Sequence, residues 1–111
     1  MEYSVILEKL KEDSIKNEEI YDCLISKNFN IVGQAIYKII DRRYCDEYII
    51  KALTKIALML KGYKVVGPYQ IGHLAISALF LVDDKSALRY FTKIYNNLNN
   101  NDKPRLFTAQ P

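Results

Sequence analysis

Apolar residues recur at intervals of three and four along most of the chain, which is the spacing of one face of an α-helix. Six stretches follow this pattern, and their apolar faces run over Tyr3–Leu10, Ile20–Leu24, Ile31–Ile40, Ile49–Leu60, Ile71–Val82 and Leu88–Leu98. No stretch shows the two-residue alternation of a half-buried strand, although the β-branched loop 63–67 is compatible with a brief extended piece. The sequence therefore predicts an all-α fold with about six helices.

Capping signals mark the limits of several of these helices. The side chain of Asn17 is placed to cap the second helix, and the pair Asp83-Asp84 to cap the sixth. Gly62 suits a left-handed stop after the fourth helix, and Pro68 suits the first turn of the fifth, where its missing N–H costs nothing. The asparagine-rich end of the sixth helix leads into a tail, 99–111, that is predicted to be loose, although Leu106 and Phe107 could pack back against the core.

The chain also repeats itself with a period near 40 residues. The third helix aligns with the fifth at an offset of 40, and the fourth aligns with the sixth at an offset of 38. The aligned residues are Ile31, Ala35 and Ile36 with Ile71, Ala75 and Ile76, and Thr54-Lys55-Ile56 with Thr92-Lys93-Ile94. Two helices in each unit of about 40 residues are typical of HEAT and armadillo arrays, in which each unit buries its apolar face against the next.

On these residues the chain resembles HEAT-like helical repeats. The resemblance covers 30–98 as two repeats, with 1–29 as a capping helix pair and 99–111 as the tail of a single domain spanning 1–111. It implies a short HEAT-like α-solenoid stack whose second helices line a concave binding face. The length of 111 residues is enough for one domain with its own core.

The charge is small overall but uneven along the chain. Sixteen Lys and Arg against 13 Asp and Glu give +3, which demands neither a nucleic acid nor a membrane partner. Residues 1–22 hold seven acids and three lysines, hence −4, and residues 23–111 hold six acids and 13 bases, hence +7. The N-terminus lacks a signal-peptide pattern, and no uncharged apolar stretch reaches about 18 residues. The sequence therefore predicts a cytoplasmic protein without a membrane partner.

Candidate chemistry is sparse. Cys23 and Cys45 match no metal-ligand spacing and are predicted to be reduced, buried thiols. His73, the only histidine, lies between apolar residues at the start of a helix, where a packing role is expected. Because the sequence contains no legible nucleophile–base pair and no phosphate-binding loop, we expect no catalytic residues, no cofactor and no metal. A small enzyme is accordingly the least favoured class of function.

Four cations form the sharpest candidate site. Lys51 and Lys55 are four residues apart and share a helix face, and the repeat offset of 38 maps them onto Arg89 and Lys93. Together these four, the basic plate, would attract an acidic protein surface or a phosphate backbone. The alternative is that they are ordinary solvated lysines and arginines of exposed helix faces. Tyr48 lies on the same helix as Lys51 and is added as a binding anchor, because tyrosine is enriched in binding hot spots.

An acidic surface competes with the basic plate as the partner-binding site. Its members lie in the first two helices and the turn between them and would face a basic partner. This acidic segment consists of Glu12, Glu18, Glu19 and Asp22.

In its size, single domain and lack of legible chemistry, the chain also resembles small α-helical immunity proteins of bacterial toxin systems, such as those of contact-dependent growth inhibition. This resemblance implies a non-catalytic protein that binds a cognate toxin, in a 1:1 complex, and neutralises it. The alternative is a nucleic-acid-binding HEAT-like module that holds a duplex on the basic plate. The low net charge and the absence of a base-reading motif in the sequence count against that alternative.

Overall fold

Six α-helices and one short 3-10 helix form the regular structure of residues 3–58 and 71–106, which are the residues that the computed structural model describes. The helices are α1 (Tyr3–Lys11), α2 (Asn17–Leu24), α3 (Phe29–Arg42), α4 (Glu47–Leu58), α5 (Ile71–Leu81) and α6 (Lys85–Asn96), followed by the 3-10 helix Lys103–Arg105. Neither described range contains a strand, so the prediction of an all-α fold is confirmed for them. The expectations for Leu60, Gly62, 63–67 and Pro68 lie outside the described residues.

Helix α5 lies at the centre of the core. Its residues from Gly72 to Leu79 are all buried, and it packs against α3, α4 and α6. A helix that is apolar on every side has to be enclosed, whereas its neighbours carry one apolar stripe each and keep a polar face outside. Helix α2 packs against α3 and α4, and α1 packs against α3, so these two helices cover the side of the core away from α6.

Burial is equivalent at three of the aligned pairs of α3 and α5. No surface is exposed at any residue of the pairs Ala35 with Ala75, Ile36 with Ile76 and Ile39 with Leu79. Burial differs at Ile31 with Ile71, of which only Ile31 is fully buried, and at Ile40 with Phe80, of which Phe80 is exposed.

Burial is not equivalent at the aligned positions of α4 and α6. Leu53 in α4 has no exposed surface, but its counterpart Phe91 in α6 is only half-buried. Phe91 contacts Phe80 and Tyr95, with ring centroids 5.1 and 5.5 Å apart. Helix α6 lies at the outside of the array, where Ala87 is its one fully buried residue. The repeat alignment predicts that Leu53 and Phe91 lie in one shared core: Leu53 is enclosed in it, whereas Phe91 packs against it from the outside and stays half-buried.

A pair of basic side chains ties the α1–α2 turn to the end of α3. Asp13, which has a left-handed φ of 58°, accepts from Arg42 Nη2 at 2.7 Å and lies 3.1 Å from Lys38 Nζ. The Arg42 guanidinium and the Lys38 ammonium hold the pKa of the Asp13 carboxyl below its ordinary value. This cluster fixes α1 and α2 on α3 at the polar edge of the core.

The start of α2 differs from the sequence prediction. Asn17 is the first helical residue rather than the cap, and its Oδ1 accepts from Arg42 Nη1 at 2.9 Å. The Glu19 carboxylate instead accepts the backbone N–H of Lys16 at 3.0 Å. The Glu19 side chain, at the third position of α2, thus satisfies the backbone N–H that precedes the helix, as the second half of a capping box does. At the start of α6 the prediction is confirmed, because Asp84 Oδ1 accepts the N–H of Ala87.

The described part of the C-terminal tail is held against the core, which corrects the prediction of a loose tail for residues 99–106. Asp102 Oδ1 lies 3.1 Å from His73 Nε2 on α5, and the Leu106 side chain is buried. The Lys103 ammonium lies 4.9 Å from the centre of the Tyr95 ring on α6. The tail thus adds an apolar and an ionic contact to the α5–α6 side of the core.

Leu53→Ala tests the position of α4 against the core. Because Leu53 has no exposed surface, we expect the free energy of unfolding to fall by about 2–5 kcal/mol. Leu88→Ala is the matched control: Leu88 is 44% exposed in α6, so its loss is expected to be about 1 kcal/mol or less. Urea unfolding of the two variants measures the difference, and equal losses would contradict the placement of α4.

Gly33→Ala tests the approach of α3 to α5. The sequence suggests that Gly33 is needed for close helix packing, but a Cβ at this position would lie 3.5 Å from Ile71 Cδ1, an ordinary van der Waals distance. Since glycine inside a helix costs about 1 kcal/mol relative to alanine, we expect the variant to be more stable by about 0.5–1 kcal/mol. A lower melting temperature than that of the parent would show that the two helices lie closer than described.

Candidate functional site

The basic plate lies on the two helices that the repeat predicted. Lys51, Lys55, Arg89 and Lys93 are all exposed, and the helices that carry them, α4 and α6, pack against each other. Lys51 and Tyr90 line one groove between the N-terminal halves of these helices. Lys55 follows Lys51 by one turn of α4, and Lys93 follows Tyr90 by three residues on α6. Because residues three and four apart share a helix face, each helix carries a further cation beyond the groove.

Most of the positive charge of the plate is uncompensated. Lys51 Nζ lies 3.3 Å from Glu47 Oε1, but both side chains are about two-thirds or more exposed (67% and 76%). An exposed pair at this helical spacing is worth only about 0.3–0.5 kcal/mol, so Lys51 can exchange Glu47 for another anion. Within residues 3–58 and 71–106, Lys55, Arg89 and Lys93 have no ion-pair partner.

Two carboxylates are fixed at the N-terminal end of the same groove. Asp46 Oδ1 accepts the N–H of Ile49 at 2.8 Å, and its Oδ2 accepts the hydroxyl of Tyr44 at 2.7 Å. Asp84 Oδ1 accepts the N–H of Ala87 at 2.9 Å. These bonds cap α4 and α6, where negative charge also suits the helix dipoles. The groove between the helices is therefore acidic at one end and basic beyond it.

The α3–α4 turn beside these carboxylates holds two groups that stay protonated in mild alkali. Burial, followed by the charges of Asp84 and Asp46, raises the pKa of Cys45 to about 11. The hydrogen bond to Asp46, followed by burial, raises the pKa of Tyr44 to about 12. Burial is also the main cause that raises the pKa of Cys23. Both cysteines are free, as the sequence predicts, although only Cys23 is fully buried.

Two exposed tyrosines flank the basic plate. Tyr48, the predicted anchor, is 65% exposed on α4, and its ring packs edge-on against Tyr21 of α2 with centroids 6.1 Å apart. Tyr90 is 44% exposed on α6 in the groove with Lys51. Because Tyr21 supports one side of the Tyr48 ring, this side chain loses little freedom when its other side is covered.

The acidic segment is less available for binding than the sequence suggests. Glu12, Glu18 and Asp22 are exposed, but the Glu19 side chain is only 21% exposed and its Oε2 lies 2.9 Å from Lys9 Nζ. The backbone N–H at the start of α2 and the Lys9 ammonium lower the pKa of Glu19. Glu19 therefore stabilises the α1–α2 arrangement, and three carboxylates remain to face a partner.

His73 has the structural surroundings of a packing residue. It is 3% exposed, and its Nε2 faces Asp102 from the described tail. The nearby Ser77 hydroxyl donates to the backbone carbonyl of His73 at 3.0 Å rather than to the imidazole. Among the described residues the imidazole Nδ1 has no hydrogen-bond partner. The ring is closed off from solvent, and its one described bond fastens the tail to α5.

An apolar groove of about 310 Å³ was not anticipated from the sequence. It opens between the α2–α3 turn and α4, and its floor includes Leu24, Val32, Ala52 and Ile56. The signal that could have revealed it is the turn itself, which carries a large apolar residue at each end, Ile25 and Phe29, both exposed.

Over residues 3–58 and 71–106, no group of three or more His, Cys, Asp and Glu side chains is arranged to hold a metal ion, and none of the helices has the length and apolar character of a membrane span. No protein-family model, curated protein or solved structure matches this chain. The site is therefore interpreted from its own geometry.

Alkaline pH tests the environment of the α3–α4 turn. Since Cys45 and Tyr44 keep their protons in the folded state at pH values where the unfolded chain loses them, the unfolded state binds fewer protons above about pH 9. The free energy of unfolding is therefore expected to fall between about pH 9 and 12, and to fall less steeply in the variant Cys45→Ala/Tyr44→Phe. Urea titrations across this range provide the slopes. Equal slopes for parent and variant would show that neither group titrates differently on folding.

Proposed function

We propose that this chain is a non-catalytic protein-binding module whose basic plate contacts an acidic surface of a partner protein in a 1:1 complex. The observation that carries the proposal is the row of exposed cations along two packed helices, of which Lys55, Arg89 and Lys93 have no ion-pair partner among the described residues. Such a surface attracts an acidic partner over several ångströms and makes association fast and sensitive to salt.

Tyr48 supplies the apolar part of the same contact. Its exposed ring is supported on one side by Tyr21, so a partner gains contact area without ordering a flexible side chain. Electrostatic steering by the plate and burial of this ring are complementary: the first mainly raises the association rate, and the second mainly lowers the dissociation rate.

The mixed charge of the groove favours a protein over a nucleic acid as the partner. A duplex laid along α4 and α6 would bring its phosphates against Asp46 and Asp84, which the helix starts hold in place. Phosphate backbones carry only negative charge, whereas a protein surface can place a basic group against these two carboxylates and acids against the plate.

We propose, further, that α3 to α6 form a short HEAT-like stack. The support for this proposal is the packing of α3 on α5 and of α4 on α6, which stacked repeats require, together with the full burial of Ala35, Ile36 and Ile39 and of their counterparts in α5. Against it, α3 and α4, which would be the two helices of one repeat, make few contacts with each other. In this arrangement α4 and α6 are the second helices of their repeats, so the plate lies on the face that such stacks use for binding.

The particular function we propose is that of a cytoplasmic immunity protein that occludes the active site or substrate path of a cognate bacterial toxin. Its support is the resemblance in size and organisation to small α-helical immunity proteins, together with a surface suited to stoichiometric binding. A protein can block a site by binding over it with a complementary surface and without any catalytic group. Charged residues and exposed aromatic anchors supply such a surface.

Co-expression with each protein domain that is encoded next to this chain in its host and arrests growth when expressed alone tests the function, and the absence of any such domain would contradict it. We expect the parent chain to restore growth and the variant Lys51→Glu/Lys55→Glu/Arg89→Glu/Lys93→Glu to fail. The control reverses three exposed charges that lie outside α4 and α6, at Lys11, Lys16 and Arg43, and is expected to restore growth. Surface changes usually cost within about 0.5 kcal/mol each, so circular dichroism should show both variants folded.

Titration of the purified partner at two salt concentrations assigns the face. The plate variant is expected to bind at least about tenfold more weakly than the parent, with most of the loss in the association rate. The variant Glu12→Lys/Glu18→Lys/Asp22→Lys, which leaves the structural Glu19 intact, is expected to bind normally. The reverse pattern would place the partner on the acidic segment. Steeply salt-dependent binding of random duplex by the parent, lost in the plate variant, would favour the nucleic-acid alternative.

A further inference from the structure

We propose that the apolar groove between the α2–α3 turn and α4 receives a large apolar side chain from an acidic segment of the partner protein. This inference rests on the proposed function. It describes a segment of the partner protein that lies next to the partner's acidic surface, which contacts the basic plate. The occupant follows from two properties of the groove, its apolar floor and the sign of the charge on its rim.

The floor and walls of the groove are apolar. Ala52 and Ile56 of α4 form one side of the floor and Val32 of α3 the other. At the walls, Ile25 is 60% exposed and Phe29 is 37% exposed. Covering such surface returns about 25 cal/mol per Å² of apolar area removed from water, which makes one inserted aliphatic or aromatic side chain a sufficient anchor. A groove of this volume lies at the small end of the range of ligand pockets, and it fits one such side chain.

The rim of the groove is positively charged. Its lining includes Lys27 from the α2–α3 turn and Lys55 from α4, both exposed, and no carboxylate lies among the lining residues of 3–58 and 71–106. A segment with Asp or Glu on either side of its anchor therefore places each carboxylate near an ammonium group. Lys55 is also a member of the basic plate, so groove and plate form one continuous surface across α4. This continuity favours an extended acidic segment of a protein over a small ligand.

Selection of phage-displayed random 12-residue peptides on the full-length chain tests the proposal without the native partner. The expected consensus combines one Leu, Phe or Trp with flanking Asp or Glu. Synthetic peptides of that consensus should bind the variant Lys27→Glu/Lys55→Glu at least about tenfold more weakly than the parent. Lys11→Glu/Lys16→Glu, which reverses two exposed charges at the end of α1 and before the start of α2, is the matched control and should bind as the parent does.

Two further variants probe the apolar floor and wall. Ala52→Leu fills the floor of the groove, and Ile25→Ser removes an exposed apolar wall. Because Ala52 is buried, its substitution can disturb folding, and the exposed Ile25 then still provides an informative variant. Each is expected to weaken peptide binding at least about tenfold. Peptides without acidic residues, peptides that bind both variants as tightly as the parent, or the absence of any enriched peptide would overturn the proposal. Dodecanoate, an apolar chain with one carboxylate, is the small-ligand probe. If it binds the parent and depends on Lys55, while no peptide binds, the groove is a small-ligand site and the proposal is overturned.

Failure of this inference is distinguishable from failure of the proposed function. The peptide assay needs no toxin, and Arg89 and Lys93 lie outside the groove. If the toxin is neutralised through the plate but Ala52→Leu and Ile25→Ser leave both toxin and peptide binding unchanged, the groove is not the anchor site and the proposed function stands. If no toxin is neutralised but acidic peptides bind in the groove, the proposed function fails and the specificity of the groove stands.

Discussion

The enclosure of α5 is the constraint on which the rest of the structure depends. A helix whose residues from Gly72 to Leu79 are all buried cannot lie at a surface, so other elements have to surround it. Helices α3, α4 and α6 do so with one apolar stripe each, and the tail adds Leu106 and the bond from Asp102 to His73. Because the apolar stripes of α4 and α6 pack against α5, the charged faces of these two helices point outward.

This arrangement links the core directly to the candidate site. Helices α4 and α6 contact each other beside α5, and the carboxylates of Asp46 and Asp84 that start them lie at one end of the shared groove. Cations follow along both helices after those caps. The electrostatic pattern of the surface is thus a consequence of helix capping at one end and of solvated outer faces beyond it. A partner that binds this pattern of charges therefore depends on the relative position of α4 and α6.

Local signals account for what the sequence predicted, and long-range contacts account for what it did not. Periodicity located the helices because each has to bury a stripe, and the pattern around Asp84 predicted a cap because the bond spans three residues. The bond of Asn17 to Arg42 and the ion pair of Asp13 with Arg42 join residues 25 and 29 positions apart, which no local pattern encodes. The apolar groove was missed for the same reason, because its floor is assembled from α2, α3 and α4. The half-burial of Phe91 depends on the outer position of α6, which the repeat alignment does not specify.

Lysine acetylation footprinting of the complex is the most direct test of the central claim, that α4 and α6 together carry the partner surface. Brief acetylation of the free chain and of its complex with the purified partner, read by mass spectrometry, reports the accessibility of each lysine separately. The account predicts that Lys51, Lys55 and Lys93 are protected in the complex while Lys11 and Lys16, which are exposed at the end of α1 and before the start of α2, react at unchanged rates. Unchanged reactivity of Lys51, Lys55 and Lys93, with protection at Lys11 beside the acidic segment, would contradict it.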